Sequence, residues 1–257
     1  MKPPLRTLLL AVCCGLAAAC TQRQERLKLM SYNIRNGIGI DNIQDIGRIA
    51  RVILREAPDL VALQELDSAT LRVDGRYIPG ELGRMTGMHA TFGRAIGFAG
   101  GSYGIGLLSR TEPLAVRSIP LPGREEARVL LMAEFPDYTV CITHLSLTPE
   151  DRLASLPIIR EATDTCRKPV LLAGDFNTGN AAAVLAGLGG GFRILSDTTR
   201  MTFPSDNPAV RIDYILGRGL PTSATVAESA VDHTATASDH CPLWVTLVWK
   251  RGKQPGK

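Results

Sequence analysis

The sequence contains no internal repeat and no low-complexity tract, which excludes solenoids, propellers and fibrous arrays. No long block of Lys and Arg forms a basic arm. Lys250-Arg251-Gly252-Lys253 with Lys257 is a short basic tail and reads as a solvated end. No two cysteines stand at zinc-ligand spacing, so a zinc finger or ribbon is excluded. The apolar run from Leu8 to Leu16 is too short to cross a bilayer comfortably.

What is present fits one ordinary to large domain. The chain has 257 residues, and its 45% hydrophobic share is enough for a full core. The first 20 residues form a leader: Lys2 and Arg6, then the apolar run, then Ala17-Ala18-Ala19-Cys20. Small residues directly before a cysteine resemble the lipobox of bacterial lipoproteins, although Ala17 stands where that pattern prefers leucine. The resemblance implies lipidation at Cys20 and a place in the bacterial cell envelope, on the periplasmic or outer-membrane side. The alternative is a plain signal peptide and a soluble secreted protein. Without Lys2 and Arg6 the 29 basic residues become 27, against 25 acidic ones, a net charge of +2. That is weak support for a polyanionic partner.

Residues 21–26 read as a tether, 27–249 as the domain and 250–257 as the tail. Strands are predicted at 27–34, 59–65, 89–94, 104–109, 114–119, 128–135, 138–144, 168–174, 210–216, 223–230 and 242–249. Helices are predicted at about 43–54, 78–86 and 150–165, with Pro157 as a kink or an early boundary. This pattern predicts an α/β fold with two sheets packed face to face and helices outside. If the strands ending near His144 and Asp175 are parallel and aligned, Cys141 and Cys166 are offset by about six residues. At ~3.3 Å per residue that is roughly 20 Å, beyond disulfide reach.

Polar clusters recur at the ends of apolar strands: Ser31-Tyr32-Asn33-Ile34, Leu63-Gln64-Glu65, Thr143-His144-Leu145, Gly174-Asp175-Phe176-Asn177, Arg211-Ile212-Asp213-Tyr214-Ile215 and Ser238-Asp239-His240. Singly, each is as well explained by loop capping or a satisfied buried group. Together and in this order they resemble the endonuclease/exonuclease/phosphatase superfamily over about 29–248. The resemblance implies a four-layer sandwich with two mixed β-sheets flanked by helices, and a metal-dependent hydrolase of phosphate esters acting by in-line water attack.

It also implies the site. Glu65 is the direct ligand of magnesium, with manganese as a possible substitute. Asn33 stands beside it and Asp239 completes the metal environment. Asp175 orients or deprotonates the attacking water, and Asn177 donates to a phosphate oxygen. His144 and His240 flank the phosphate, and Asp213 pairs with His240. The base is either Asp175 or the His240–Asp213 pair. Arg35, Tyr103 and Arg128 are further candidates for substrate binding, each with a structural alternative in packing or ion pairing.

A phosphodiesterase or phosphatase acting on a small or lipid-linked phosphate, a nonspecific secreted nuclease, and an inactive surface binding protein that kept the fold are the competing readings. Retention of the whole polar set disfavours the last. A short tether predicts a site close to the lipid surface, and the modest charge favours a small or lipid-derived substrate over duplex DNA. A monomer is expected.

Overall fold

The computed structural model describes residues 24–250. The leader, Cys20 and the tail beyond Lys250 lie outside the described residues. The chain runs β1 (Gln24–Asn33), α1 (Ile46–Glu56), β2 (Leu60–Ser68), α2 (Ile78–Thr86), β3 (His89–Phe98), β4 (Gly101–Ser109), β5 (Ala115–Leu121) and β6 (Arg128–Glu134). It continues with β7 (Thr139–His144), α3 (Pro149–Asp164), β8 (Val170–Asp175), α4 (Ala181–Leu188), β9 (Arg193–Ile194), β10 (Asp213–Arg218), β11 (Thr225–Val231) and β12 (Leu243–Lys250). One sheet has the order β11-β12-β1-β2-β4-β3 and the other β5-β6-β7-β8-β10-β9. Both are mixed: β1 pairs parallel with β2 and β7 with β8, while the other neighbours are antiparallel.

Period-two alternation builds the layers. In β1, Leu27 and Leu29 point into the space between the sheets, while Met30 and Tyr32 point outward under α1 and α2. In β7, Val140 and Ile142 point inward and Cys141 outward under α3 and α4. Three apolar clusters result, one between the sheets and one under each helical pair, giving the four-layer α/β sandwich. The same alternation extends to the strand ends. Asn33 continues the inward face of Leu27 and Leu29, His144 that of Val140 and Ile142, and Asp175 that of Leu171 and Ala173. Polar groups thus gather at one open end of the gap between the sheets.

Several expectations need correction. β1 begins at Gln24, so 24–26 are strand rather than tether, because they pair with Lys250, Trp249 and Val248 of β12. The tail correspondingly starts after Lys250, the last residue of β12. α3 passes through Pro157 without a break. α4, capped by Asn180 Oδ1 on Ala183 N–H, was not predicted, nor was the two-residue β9. Cys141 and Cys166 are both free, as expected, and β7 and β8 run parallel with His144 opposite Asp175, but the strand offset does not extend to Cys166. β8 starts only at Val170, and Cys166 packs on the same cluster as Cys141.

Gly174 lets β7 and β8 lie together. Its φ is +153°, and a Cβ there would meet Thr143 O at 1.9 Å. Among the described residues no helix is long and apolar enough to cross a membrane.

Candidate active site

His144, Asp175 and Asp213 form one row across three neighbouring strands. His144 is the register partner of Asp175 between β7 and β8, and Asp175 that of Asp213 between β8 and β10. All three are buried. The opposite sheet contributes Asn33 at the end of β1 and Glu65 in β2. Glu65 lies where the β2–β4 register shifts between Leu63 and Leu66, and its φ is +57°. A bulge with a non-glycine residue in the left-handed region re-aims a side chain at a backbone cost. Here it brings the Glu65 carboxylate to Asn33, half-exposed at the mouth of the gap.

Asn33 ties the two sheets together. Its Nδ2 donates to Glu65 Oε1 at 3.0 Å and to Asp175 Oδ2 at 3.1 Å, and lies 3.4 Å from His240 Nε2. Its Oδ1 accepts from Arg35 N–H at 3.1 Å. Ser238 Oγ donates to the Asn33 carbonyl at 2.7 Å, which fixes the Ser238-Asp239-His240 turn against β1. His240 Nδ1 pairs with Asp213 Oδ2 at 2.9 Å. The Phe203 ring covers the imidazole with centroids 4.8 Å apart. Asp239 is half-exposed and meets Arg35 Nε at 3.5 Å.

The electrostatics divide the histidines. Burial works against charge on His240. The Asp213 carboxylate, through its charge and its hydrogen bond, overrides that with help from Asp175 and Asp239, and lifts the imidazolium well above its usual range. His144 moves the other way: burial first, then Arg128 and His240, hold it well below 6.5 and keep it neutral. Burial and the adjacent Asp213 raise the Asp175 carboxyl above the usual carboxylate range, against the pull of His240. Asp175 Oδ2 stands 3.5 Å from His144 Nε2 and 3.7 Å from His240 Nε2.

Two groups could hold a cation. Ligand atoms of Asp175, Asp213 and His240 lie within 4.8 Å of one another. However, Asp213 Oδ2 and His240 Nδ1 are spent on each other. Asp213 Oδ1 is buried without a hydrogen-bond partner. The second group, Glu65 and Asp239 with Asn33 beside them, offers two half-exposed carboxylates, although Glu65 Oε1 accepts from Asn33 Nδ2, Asp239 meets Arg35 and the Asn33 amide oxygen accepts from Arg35 N–H. A hard divalent cation that keeps several waters fits the second group better.

The eight core candidates Asn33, Glu65, His144, Asp175, Asn177, Asp213, Asp239 and His240 therefore converge. Asn177 differs in detail. It is not extended but left-handed, with φ +50°. Its N–H donates to Asp175 Oδ1 and its Nδ2 to the Leu145 carbonyl, both at 2.8 Å, so it braces the ends of β7 and β8. One amide N–H is left over for a ligand.

Of the other candidates, Arg35 lies at the site beside Asp239. Tyr103 is buried and lines a small cavity with Glu126, Arg128 and His144. Burial, then Glu65 and Glu126, raise its hydroxyl and keep it a neutral donor. Arg128 is not an open substrate ligand. It is buried behind His144, contacting its Nδ1 at 3.3 Å, and pairs with Glu126 at 2.9 Å and Glu125 at 3.4 Å. Phe203 and Arg72 were missed from sequence. Arg72 links Asp67 to Asn36, and its guanidinium sits 5.2 Å from the Tyr103 ring. No local sequence signal marks either residue.

Comparison with known proteins agrees with this geometry. None of the curated proteins compared with the chain matches it. An endonuclease/exonuclease/phosphatase structure from Beutenbergia cavernae is 24% identical, with TM-score 0.69, covering 88% of this chain and 72% of that one. A mannosyl-6-phosphatase of Bacteroides thetaiotaomicron is 19% identical, with TM-score 0.68, over 86% of this chain and 99% of its own. TDP2 of D. rerio complexed with a single-strand DNA product is 22% identical, with TM-score 0.65, over 86% of this chain and 98% of its own. At these identities the structures show a shared fold. A sequence profile of the family matches residues 30–240, from Met30 in β1 to the His240 that Asp213 holds. The chain belongs to the Endonuclease/Exonuclease/phosphatase family.

Proposed function

We propose that the chain is a divalent-metal-dependent phosphoesterase, with magnesium as the ion and manganese as a substitute. The observation that carries this reading is the single side chain of Asn33, whose Nδ2 donates to both Glu65 and Asp175 and lies 3.4 Å from His240 Nε2. It joins a carboxylate open to a cation with a buried proton-handling cluster.

Glu65, Asn33 and Asp239 would hold the ion. Once bound, it supplies Lewis-acid neutralisation of the phosphate charge. Asp175 is the better base. Its buried carboxyl binds a proton more readily than an ordinary one, so it can take a proton from the attacking water. The water oxygen forms its bond to phosphorus as the in-line ester oxygen leaves. His240, held as imidazolium by Asp213, presents Nε2–H to the charge that develops and can protonate the leaving oxygen. His144 donates as a neutral imidazole from the other side of Asp175.

The test is a turnover screen on the purified mature protein, using phosphomonoesters, phosphodiesters, phospholipids and DNA, with a chelator and after magnesium is restored. Activity should disappear and return. Glu65→Ala should weaken the metal dependence, and His240→Ala should reduce turnover by about 10²-fold or more. Full activity in either variant defeats the assignment. The nuclease alternative shares these residues, and a specificity constant for DNA far above all other substrates would establish it.

A further inference from the structure

Building on that reading and on lipidation at Cys20, we infer that the pole of the sandwich opposite the active site faces an anionic bilayer. The site then opens away from the lipid, onto a soluble phosphoester. The short-tether expectation of a site near the lipid surface is reversed by the direction of β1.

β1 starts at Gln24 and ends at Asn33, inside the site. Nine residue steps at ~3.3 Å put about 30 Å between the two ends. Only residues 21–23 separate Cys20 from Gln24, a link of at most ~14 Å. Such a link cannot carry the far end of the sheet round to the membrane. The first strand residue is locked in place, because Gln24 pairs with Lys250 of β12.

The chemistry of this pole suits a lipid surface. An apolar cleft opens there between the two sheets, lined by Leu27, Tyr138, Leu220, Pro221, Leu247 and Trp249, with Asp137 its one charged lining residue. Tyr and Trp favour the boundary between apolar and wet surroundings. Lys250 ends β12 at the same pole. Basic residues next to an anchored end gain from anionic headgroups.

The opposite rim also exposes Leu71, Phe98 and Leu147. That apolar border would suit a membrane only if the domain could turn over, which the link forbids. It fits the organic part of a soluble ester instead.

The test uses full-length lipidated protein in vesicles of phosphatidylethanolamine and phosphatidylglycerol carrying a headgroup quencher. In a Cys166→Ser background, a fluorophore is placed at Thr222→Cys, beside the anchored pole, or at Leu147→Cys, at the site rim. The Thr222 probe should be quenched several-fold more than the Leu147 probe, and a soluble phosphodiester should be turned over faster than the vesicle phospholipid. Equal or reversed quenching overturns the orientation. Preferred hydrolysis of the vesicle lipid overturns the substrate assignment. Vesicle binding that survives Cys20→Ser overturns the anchor. Absence of any phosphoester turnover with the quenching difference intact would instead defeat the phosphoesterase reading and leave the orientation standing.

Discussion

Arg128 donates to Nδ1 of His144 across 3.3 Å. A guanidinium has no acceptor, so Nδ1 must carry the lone pair and Nε2 the proton. The neutral His144 therefore points a fixed N–H at Asp175 and the space beside it. In the proposed mechanism Arg128 would act through His144 as a positioning residue. Arg128→Met should lower kcat by roughly 10- to 100-fold with little change in KM. Nitrogen NMR of the His144 ring should show a mixture of tautomers in place of one. Arg128→Lys, which keeps a charged donor on a single nitrogen, should restore part of the rate. A variant with normal folding, normal kcat and an unchanged ring spectrum removes the role.

Asp213 and His240 should behave as one unit. Asp213→Asn should keep the fold and reduce kcat, while the double variant Asp213→Asn/His240→Ala should be little worse than His240→Ala alone, because coupled groups are not additive. Multiplicative losses in the steady-state rates would mean that the two work separately.

Glu125 gives a pH signature. Burial works to raise its carboxyl, but hydrogen bonds from Ser146, its own backbone, Leu147 N–H and Arg128 hold it at about 2, below the ordinary 4.5. A depressed folded value stabilises the fold above the unfolded pKa and is lost as pH falls through the folded one. The stability gap between the native protein and Glu125→Gln should be constant above about pH 4.5 and close between there and about pH 2. Denaturant titrations across that range measure it, and a gap that widens toward acid contradicts the assignment.

Gly174→Ala tests the close approach of β7 and β8. A methyl group has no room against Thr143 O, and φ is +153°. The substitution should cost about 3 kcal/mol or more and depress activity through His144 and Asp175. An unchanged melting temperature would falsify the packing account.

Much of the site was legible because its residues lie at the ends of apolar strands in an ordered series. Asn33, His144, Asp175 and Asp213 were found in that way, and alternation explains why they share one gap. The remainder depends on backbone detail and distant contacts. Nothing local shows that Glu65 sits in a left-handed bulge, or that Asn177 turns back to bind Leu145. Arg128 looked like a phosphate ligand because His144 meets it only once β6 and β7 pair, although its other partners Glu125 and Glu126 are near neighbours in sequence. Phe203 reaches His240 from the long stretch between β9 and β10, which carries no periodic signal. α4 was missed because Ala181-Ala182-Ala183 and the glycines after it offer little amphipathic contrast.

The hydrogen bond from Asn33 to Asp175 spans 142 positions of sequence and crosses from one sheet to the other. Neither sheet holds the whole site alone, so turnover should report how firmly the two sheets are held against each other. Leu29 and Ile142 lie in the layer between them. Trimming either to alanine should loosen that contact, and turnover should fade with added denaturant before the circular dichroism of the strands changes.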